Sequence, residues 1–210
     1  MTPRGKFITL EGSEGSGKTT AARHLGEWLR SRGEPTIVSR EPGGTPLGDE
    51  VRRLVLHLRD VSDDLDPRAD AFLYAAARAQ HTSRVILPAL ERGDHVVSAR
   101  YLDSSLAYQG GAGGLGLEAV RALHVLGSEG FLPDRTLVLV LDEGSERARA
   151  RDCAGNDRIG GRSAEYHHQV DEGFRLIANQ EPERVRLVDA SGSQEQVTQR
   201  LLDAIADMLP

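Results

Sequence analysis

Short apolar segments alternate with amphipathic helical segments along the chain, and this alternation constrains the fold more than any other feature. Each apolar segment is separated from the next by at least one helical segment, so consecutive strands are expected to run in the same direction. The pattern predicts an α/β fold: a five-stranded parallel sheet with helices on both faces. The predicted strands are Lys6–Leu10, Thr36–Arg40, His95–Ala99, Thr136–Leu141 and Val185–Asp189.

The segments between the strands carry helical spacing and helix-terminal signals. Ser193 is the predicted N-cap of the last helix, with Gln196 at the capping-box position. Pro88 is expected to kink or end a long alanine-rich helix, and a polar, glycine-containing segment at about 149–162 is predicted to be a mobile lid. The predicted helices are Lys18–Arg32, Leu47–Leu58, Pro67–Arg92, Leu117–Gly127, Ser163–Asn179 and Ser193–Leu209, with a further helix start at Glu143–Arg151.

Length and composition narrow the class of protein. A chain of 210 residues fits one α/β domain, and we expect a single domain over residues 1–210. The only cysteine, Cys153, cannot form an intramolecular disulfide, and there is neither a signal-peptide pattern nor a long apolar run. The net charge of −6 is a poor match for broad nucleic-acid binding. We therefore expect a cytoplasmic protein with no nucleic-acid or membrane partner.

The segment after the first predicted strand has the pattern G-x-x-x-x-G-K-[ST] and opens directly into a predicted helix. In such a loop the backbone N–H groups point inward at phosphates, next to the positive end of the helix dipole. Lys18 is expected to reach the β- and γ-phosphates of ATP, and the Thr19 hydroxyl to bind Mg²⁺. The residues predicted to bind ATP are Gly12, Ser13, Glu14, Gly15, Ser16, Gly17, Lys18, Thr19 and Thr20.

Four blocks, in chain order, resemble the thymidylate kinase family. They are FITLEG at Phe7–Gly12, REPGGT at Arg40–Thr45, RYLDSSLAYQG at Arg100–Gly110, and PDRTLVLVLD at Pro133–Asp142 followed by DRI at Asp157–Ile159. REPGGT and SSLAYQG are more specific than the phosphate loop, which GTPases and motor ATPases also use. The resemblance implies a P-loop kinase that transfers the γ-phosphate of ATP to dTMP, with Mg²⁺, in dTTP synthesis. It also implies a homodimer.

The resemblance further implies how the acceptor is held. Arg40 and Arg100 stand at strand ends, where guanidinium groups can hold a phosphate. Tyr74 and Arg78 lie four residues apart and share a helix face. The resemblance implies that the ring stacks on thymine and that the arginine reads the carbonyl edge of the base; the alternative for Tyr74 is a core position. Tyr108 matches a tyrosine near the sugar C2′. The residues expected to bind dTMP are Glu11, Arg40, Pro42, Tyr74, Arg78, Arg100, Ser104, Ser105, Tyr108 and Gln109.

Phosphoryl transfer needs aligned reactants and positive charge near the moving group. The phosphate loop contains Glu14 and no arginine, and family members of this kind supply an arginine from the lid. Arg158 is best placed in the DRI match. Glu11 either holds a metal-bound water or the acceptor 3′-hydroxyl, or is a solvated loop carboxylate. The residues predicted to be catalytic are Lys18, Arg100, Arg158, Arg149, Arg151 and Glu11.

The chain departs from the family pattern at Ala77, Ala99, Gly160 and Arg162. The family's Asp-Arg pair reads Ala99-Arg100 here, so a carboxylate near the metal and the phosphates is missing; Glu11, Glu14 and Asp103 are candidate replacements. Two alternative functions follow: a kinase for another pyrimidine monophosphate, such as dUMP or a cytidylate, and a nucleotide-binding regulator that has lost efficient catalysis. A GTPase switch would need the sequence N-K-x-D, which the chain lacks.

Overall fold

A computed structural model describes residues 3–57, 65–141 and 158–208. Within these ranges five strands form one parallel sheet in the order β2-β3-β1-β4-β5. This confirms the predicted fold class, and each strand lies within one residue of its predicted bounds. The strands are β1 (Phe7–Glu11), β2 (Thr36–Arg40), β3 (His95–Ala99), β4 (Arg135–Val140) and β5 (Val185–Asp189).

Helices connect the strands and cover both faces of the sheet. None of them, over the ranges given above, has both the length and the hydropathy needed to cross a bilayer. The predicted helix start at Glu143–Arg151 lies outside the described residues, as does most of the predicted lid. The helices are α1 (Lys18–Ser31), α2 (Pro46–His57), α3 (Pro67–His81), α4 (Leu87–Glu91), α5 (Leu102–Ser105), α6 (Leu117–Ser128), α7 (Ala164–Gln180) and α8 (Gln194–Asp203).

The long alanine-rich helix is interrupted, as Pro88 predicts, although the change begins earlier. The segment Thr82–Ile86 is a π-helical turn between α3 and α4. Pro88 then lies in the first turn of α4, where its missing N–H leaves no backbone hydrogen bond unmade. At the other end of the chain, Ser193 and Gln196 form the predicted capping box.

The segment after β3 is helical, which the sequence analysis does not predict. Helix α5 is followed by a π-helical turn at Leu106–Ala112. Its glycines and serines have low helix propensity, so the local sequence hides the helix. Tertiary packing overrides that propensity: a Cβ on Gly173 of α7 would lie 3.2 Å from the Cα of Ala107. The glycine on α7 thus allows the two segments to approach closely.

The sheet separates two hydrophobic cores. Alternate residues of β1 face opposite sides: Ile8 packs in the core with Leu25 of α1 and Leu201 of α8. Phe7 packs in the other core with Phe174 of α7. Both faces of the sheet are therefore buried, which explains why its strands read as nearly continuous apolar runs.

The carboxyl ends of three strands meet at one edge of the sheet. Leu10 of β1 pairs with Ala99 of β3, and Arg40 of β2 also pairs with Ala99. Ligands of open parallel sheets bind at this edge. The phosphate-loop, REPGGT and RYLDSSLAYQG segments all leave the sheet here.

A buried ion pair anchors the segment after β3. The carboxylate of Asp103 is fully buried and accepts two hydrogen bonds from the Arg184 guanidinium, each of 2.7 Å. It also accepts one from the Thr136 hydroxyl at 2.9 Å. Because both carboxylate oxygens are engaged in these contacts, Asp103 is not placed to replace the carboxylate missing at Ala99.

Candidate active site

The loop from Gly12 to Thr19 curls over the N-terminus of α1. Gly12 and Gly17 have φ angles of 130° and 88°, which residues with a Cβ rarely adopt. A Cβ on Gly12 would also lie 2.5 Å from the backbone oxygen of Leu139. The backbone path therefore requires glycine at these positions, and it brings the loop to the positive end of the α1 dipole.

The ammonium group of Lys18 lies inside this loop. Its Nζ donates hydrogen bonds to the backbone oxygen of Ser13 and, over 3.0 Å, to Ser16 Oγ. Burial, and secondly the positive charge of Arg100, hold the pKa of Lys18 well below its usual value. A buried ammonium bonded to neutral oxygens would be stabilised by an anion, so the loop favours a phosphate ligand.

Arg100 stands between this loop and the segment that follows β3. Its φ angle of 73° is left-handed, a conformation that costs a non-glycine residue about 1–3 kcal/mol. The guanidinium donates to Ser104 Oγ at 3.0 Å and lies 3.5 Å from the Gly12 backbone oxygen. Its central carbon is 5.0 Å from the centre of the Tyr108 ring. The strained backbone thus accompanies a guanidinium that lies between the phosphate loop and the segment after β3.

Glu11 is a fully buried carboxyl group, not a solvated loop residue. Its Oε1 accepts the Tyr101 backbone N–H at 2.7 Å, and its Oε2 accepts a hydrogen bond from the Ser104 hydroxyl. Burial, followed by the charge of Asp103, raises the pKa of Glu11 to about 7, against the opposing effects of Ser104 and Arg100. Glu11 therefore titrates near neutral pH and joins the phosphate loop to the segment after β3.

A pocket beside the phosphate loop brings together the residues predicted to bind the acceptor, except Glu11 and Arg40. We call it the Tyr74 pocket. Glu11 is fully buried and bonded to Ser104 of the pocket wall, whereas Arg40 is exposed at the end of β2. The pocket is lined by Glu14, Glu41, Pro42, Arg52, Leu56, Tyr74, Arg78, Arg100, Tyr101, Ser104, Ser105, Tyr108, Gln109 and Ile159.

Arg78 is held in the wall of the Tyr74 pocket by buried partners. Its Nε donates to Glu41 Oε2 at 3.0 Å, and its Nη2 donates to the Tyr101 backbone oxygen at 3.3 Å and to Ser105 Oγ. Tyr74 precedes Arg78 by one turn of α3 and lines the same pocket. The four-residue spacing that predicts a shared helix face therefore places both side chains at one cavity.

Arg158 lies against α2 and α3. Its backbone N–H and its Nε donate to carbonyl oxygens of α2, at 3.1 and 3.0 Å. Its Nη2 is paired with the carboxylate of Asp70, which also accepts a 2.9 Å hydrogen bond from Gln109 Nε2. The other two arginines predicted to act from the lid, Arg149 and Arg151, lie outside the described residues.

Two further clefts flank the phosphate loop. The first places Arg40 with Thr19 and Ala99 rather than in the Tyr74 pocket; it is lined by Thr19, Ala22, Val38, Ser39, Arg40, Gly44, Asp49 and Ala99. The second, of about 360 Å³, contains four of the residues predicted to bind ATP and runs toward α8. It is lined by Gly15, Ser16, Gly17, Thr20, Ala21, His24, Leu139, Ala190, Gly192, Gln194, Val197 and Thr198.

Comparison with known proteins shows the family of the chain. Residues 10–201 match a family model described as thymidylate kinase. The chain belongs to the thymidylate kinase family. A thymidylate kinase of Rhizorhabdus wittichii is 51% identical over 209 residues, covering 98% of this chain and 99% of the relative. One of Syntrophotalea carbinolica is 44% identical over 201 residues, covering 93% and 92%. The crystal structure of thymidylate kinase from Ehrlichia chaffeensis matches with a TM-score of 0.78 at 28% identity, covering 97% and 99%.

Several residues in or next to the Tyr74 pocket of this family member are missed by the sequence analysis. Arg52 and Leu56 lie one turn apart on α2 and both line the Tyr74 pocket; their spacing, just after the REPGGT loop, was an available signal. Glu41 lies within REPGGT itself, yet nothing local shows that it pairs with Arg78. Asp70 also gives no sequence signal, because its partners Gln109 and Arg158 are distant in the chain.

The raised pKa of Glu11 predicts a pH dependence of stability. The carboxyl group titrates near 7 in the folded protein and near its ordinary value of 4.5 in the unfolded chain, so between these values the folded state binds more protons. The contribution of Glu11 to the free energy of unfolding therefore decreases as pH rises from 4.5 to about 7, and is constant above that.

Urea unfolding of the wild type and Glu11→Gln across this pH range tests the assignment. The stability of the wild type relative to the variant should fall over the window and then level off. Parallel pH profiles of the two proteins would contradict it.

Proposed function

We propose that this protein phosphorylates dTMP, transferring the γ-phosphate of ATP to give dTDP and ADP in dTTP synthesis. The observation that carries the proposal is the position of Arg100, between the phosphate loop and the Tyr74 pocket of a thymidylate kinase family member. Its guanidinium is near both Gly12 of the loop and Ser104 of the pocket. A cation at this junction can face the donor and the acceptor phosphates together, as phosphoryl transfer requires.

On the donor side, the loop Gly12–Thr19 holds the phosphates of ATP through its backbone N–H groups. Lys18 exchanges its hydrogen bonds to Ser13 and Ser16 for bonds to the β- and γ-phosphate oxygens. The cost of burying the ammonium, which lowers its pKa in the free protein, is then offset by the phosphate charge.

On the acceptor side, the Tyr74 ring stacks on the thymine base and Arg78 donates to its carbonyl edge. Ser104 and Ser105 lie beside this edge, and Gln109 closes the same pocket. Tyr108 is nearly fully buried in the pocket wall, where its bulk disfavours a ribose 2′-hydroxyl. Nothing in the comparisons favours another pyrimidine monophosphate or a regulator without catalysis.

The proposal extends to the organisation of the protein. The strands of residues 3–57, 65–141 and 158–208 form one five-stranded sheet, which supports one kinase domain over residues 1–210. We propose that residues at about 149–162 form its lid. Arg158, Arg149 and Arg151 are the lid arginines in this scheme. For Arg158 to act on the transferred phosphate, its guanidinium would have to leave Asp70. We also propose that the protein is cytoplasmic.

Mg²⁺ is the metal that we propose for this kinase. Across the described ranges no three His, Cys, Asp or Glu side chains cluster as a protein-only metal site. The exposed Thr19 hydroxyl, in a cleft shared with Asp49, fits Mg²⁺, which usually binds through few protein oxygens together with substrate phosphates and water. Thr19 would hold the ion together with the substrate phosphates, and the ion would supply positive charge that neutralises the donor phosphate.

Ala99 borders the same cleft as Thr19, so the carboxylate that the family pattern has at this position can be restored there. We expect Ala99→Asp to lower the Mg²⁺ concentration needed for half-maximal activity and for calorimetric Mg²⁺-ATP binding. The physical reason is an added negative charge near the cation. The control is Asp49→Asn, which removes a negative charge from the same cleft instead of adding one. Identical Mg²⁺ titrations of the wild type and Ala99→Asp would show that position 99 does not act on the metal.

We also propose a homodimer, formed through the outer faces of α2, α3 and α6. Helix α6 packs on α3, where a Cβ on Gly127 would lie 3.4 Å from the Ala79 Cβ. The faces left outside carry large apolar side chains: Phe72 is 59% and Leu126 83% exposed. Apolar side chains exposed on adjacent helices are typical of an association surface.

Sedimentation equilibrium tests the dimer. Phe72→Glu should shift the protein to monomer, because a charge buried in an interface without a partner is unfavourable. Leu176→Glu makes the same change at an exposed leucine of α7 and should leave the mass unchanged. A monomeric wild type, or an unaffected Phe72→Glu mass, would contradict the proposed surface.

The experiment that tests the function is ADP release from ATP and Mg²⁺ with dTMP, dUMP, UMP, dCMP and dGMP as acceptors. We expect the fastest turnover with dTMP and poor turnover with UMP. Lys18→Ala should lower turnover about a hundredfold or more, the scale of removing a group that stabilises transition-state charge. A higher rate with another monophosphate would overturn the dTMP assignment. Tight ATP and dTMP binding without turnover would favour the regulator instead.

A further inference from the structure

A chain of buried polar groups ends at Arg78, and the phosphoryl transfer itself uses none of the others. Arg78 Nε donates to Glu41 Oε2 at 3.0 Å; the other oxygen, Glu41 Oε1, lies 2.9 Å from His81 Nδ1. His81 Nε2 lies 2.7 Å from Ser39 Oγ. The order is therefore Ser39, His81, Glu41, Arg78, and it runs from β2 into the wall of the Tyr74 pocket.

The chemistry of these groups determines which one donates in the hydrogen bonds to Glu41. A carboxylate can only accept, so His81 carries a proton on Nδ1 and donates to Glu41. The Ser39 hydroxyl completes the chain at His81 Nε2. The imidazole is also fixed by packing, because a Cβ on Gly44 would lie 2.8 Å from His81 Nε2. Both carboxylate oxygens of Glu41 thus accept a hydrogen bond. One of the two donors, His81, is itself held in place by Ser39 and by packing on Gly44.

This arrangement orients the three guanidinium nitrogens of Arg78. Nε is bonded to Glu41, and Nη2 to the Tyr101 backbone oxygen and to Ser105. Nη1 has no hydrogen-bond acceptor among residues 3–57, 65–141 and 158–208, while the residue lines the Tyr74 pocket. The planar fork, held on two of its nitrogens, therefore leaves the third for a ligand in the pocket.

Because Arg78 is buried, its contact with Glu41 is necessary; we call Glu41 together with His81 the clamp. The side chains of Arg78, Glu41 and His81 are 3%, 5% and 0% exposed. An arginine that lost its carboxylate here would hold an uncompensated charge and would be free to take other side-chain torsions. Since Glu41 accepts from both neighbours, the orientation of Arg78 depends on Glu41 directly and on His81 through it.

We propose that Glu41 and His81 are positioning residues that set the selectivity of the pocket for a pyrimidine with a carbonyl group at C4. The inference rests on the proposed function and deepens it. A fixed Nη1–H donor is satisfied by the C4 carbonyl of thymine or uracil and confronts the C4 amino group of cytosine with a second donor. A site whose N–H group is held in place discriminates against a base that has no hydrogen-bond acceptor at that position. The discrimination is lost if the N–H group can rotate away.

Glu41→Gln tests the clamp with almost no change of shape. An amide has one accepting oxygen, and its nitrogen only donates. In either orientation the introduced amide removes the negative charge that faces the buried Arg78 guanidinium. With the amide oxygen on Arg78 Nε–H, the amide nitrogen can donate to His81 Nδ1 only after the imidazole has moved its proton to Nε2. The readout is the ratio of kcat/KM for dTMP over dCMP, with the ratio for dTMP over dUMP as the internal reference, because uracil keeps the carbonyl at C4.

We expect Glu41→Gln to lower the dTMP:dCMP ratio about tenfold and to leave the dTMP:dUMP ratio within about twofold of the wild type, the scale of one hydrogen bond to a charged group. The matched control is Glu34→Gln, since Glu34 pairs with His95 at the opposite end of the same sheet, over 3.3 Å; both ratios should stay at wild-type values. Equal losses of activity with all three acceptors in Glu41→Gln would mean a merely structural role and would overturn the proposal.

His81→Phe is the second variant, to be used with Glu41→Gln or in its place if that protein does not fold. It keeps a ring against Gly44 but removes the donor to Glu41. The dTMP:dCMP ratio should again fall, and an unchanged ratio would refute the role of His81.

Calorimetry without ATP gives the dissociation constants of dTMP, dCMP and dUMP. Ratios of these constants report binding alone and do not depend on phosphoryl transfer. Failure of the proposed function would appear in the wild type as turnover with another acceptor or with none. Failure of this inference would appear as unchanged calorimetric ratios in the variants.

Discussion

The pairing of β1 with β3 sets the geometry of the whole site. Leu10 lies opposite Ala99 in parallel register, so Glu11, the last residue of β1, lies next to Arg100, the first residue after β3. Glu11 then accepts hydrogen bonds from Tyr101 and Ser104 in the segment after β3. One buried carboxyl group thereby joins the phosphate loop to the pocket wall. Burial disfavours the charged form of this carboxyl group and is the main reason that the pKa of Glu11 is raised to about 7.

Buried carboxylates fix the arginines around this joint, and the surroundings of each pair decide its role. Asp103 with Arg184 packs against Thr136 of β4 and anchors the segment after β3. Glu41 with Arg78 lies in the wall of the Tyr74 pocket and holds the guanidinium there. Asp70 with Arg158 is partly exposed, 10% and 18%, and ties the DRI segment to α3. Losing one partner of such a pair leaves a charge uncompensated, so each arginine keeps its place.

The residues of the site that could be predicted are those whose signal is local. The phosphate loop is visible because Gly12 and Gly17 need backbone angles that only glycine adopts readily. Tyr74 and Arg78 are visible because four residues make one helical turn. Arg40 looks equivalent to Arg100 in the sequence, since both end a strand, yet it is Arg52 of α2 that joins Arg100 in the Tyr74 pocket, while Arg40 lines another cleft.

The five parallel strands, the phosphate loop and the family resemblance can be read from the sequence, because hydrophobic alternation, glycine conformation and motif spacing are short-range properties of the chain. Which cleft each arginine faces, and which carboxylate holds it, depends instead on contacts between distant parts of the chain. Glu41 and Arg78 are 37 residues apart in the chain, and Asp70 and Arg158 are 88 apart. The strand order brings such partners together, and a long, flexible guanidinium side chain takes its direction from the carboxylate that it meets after folding.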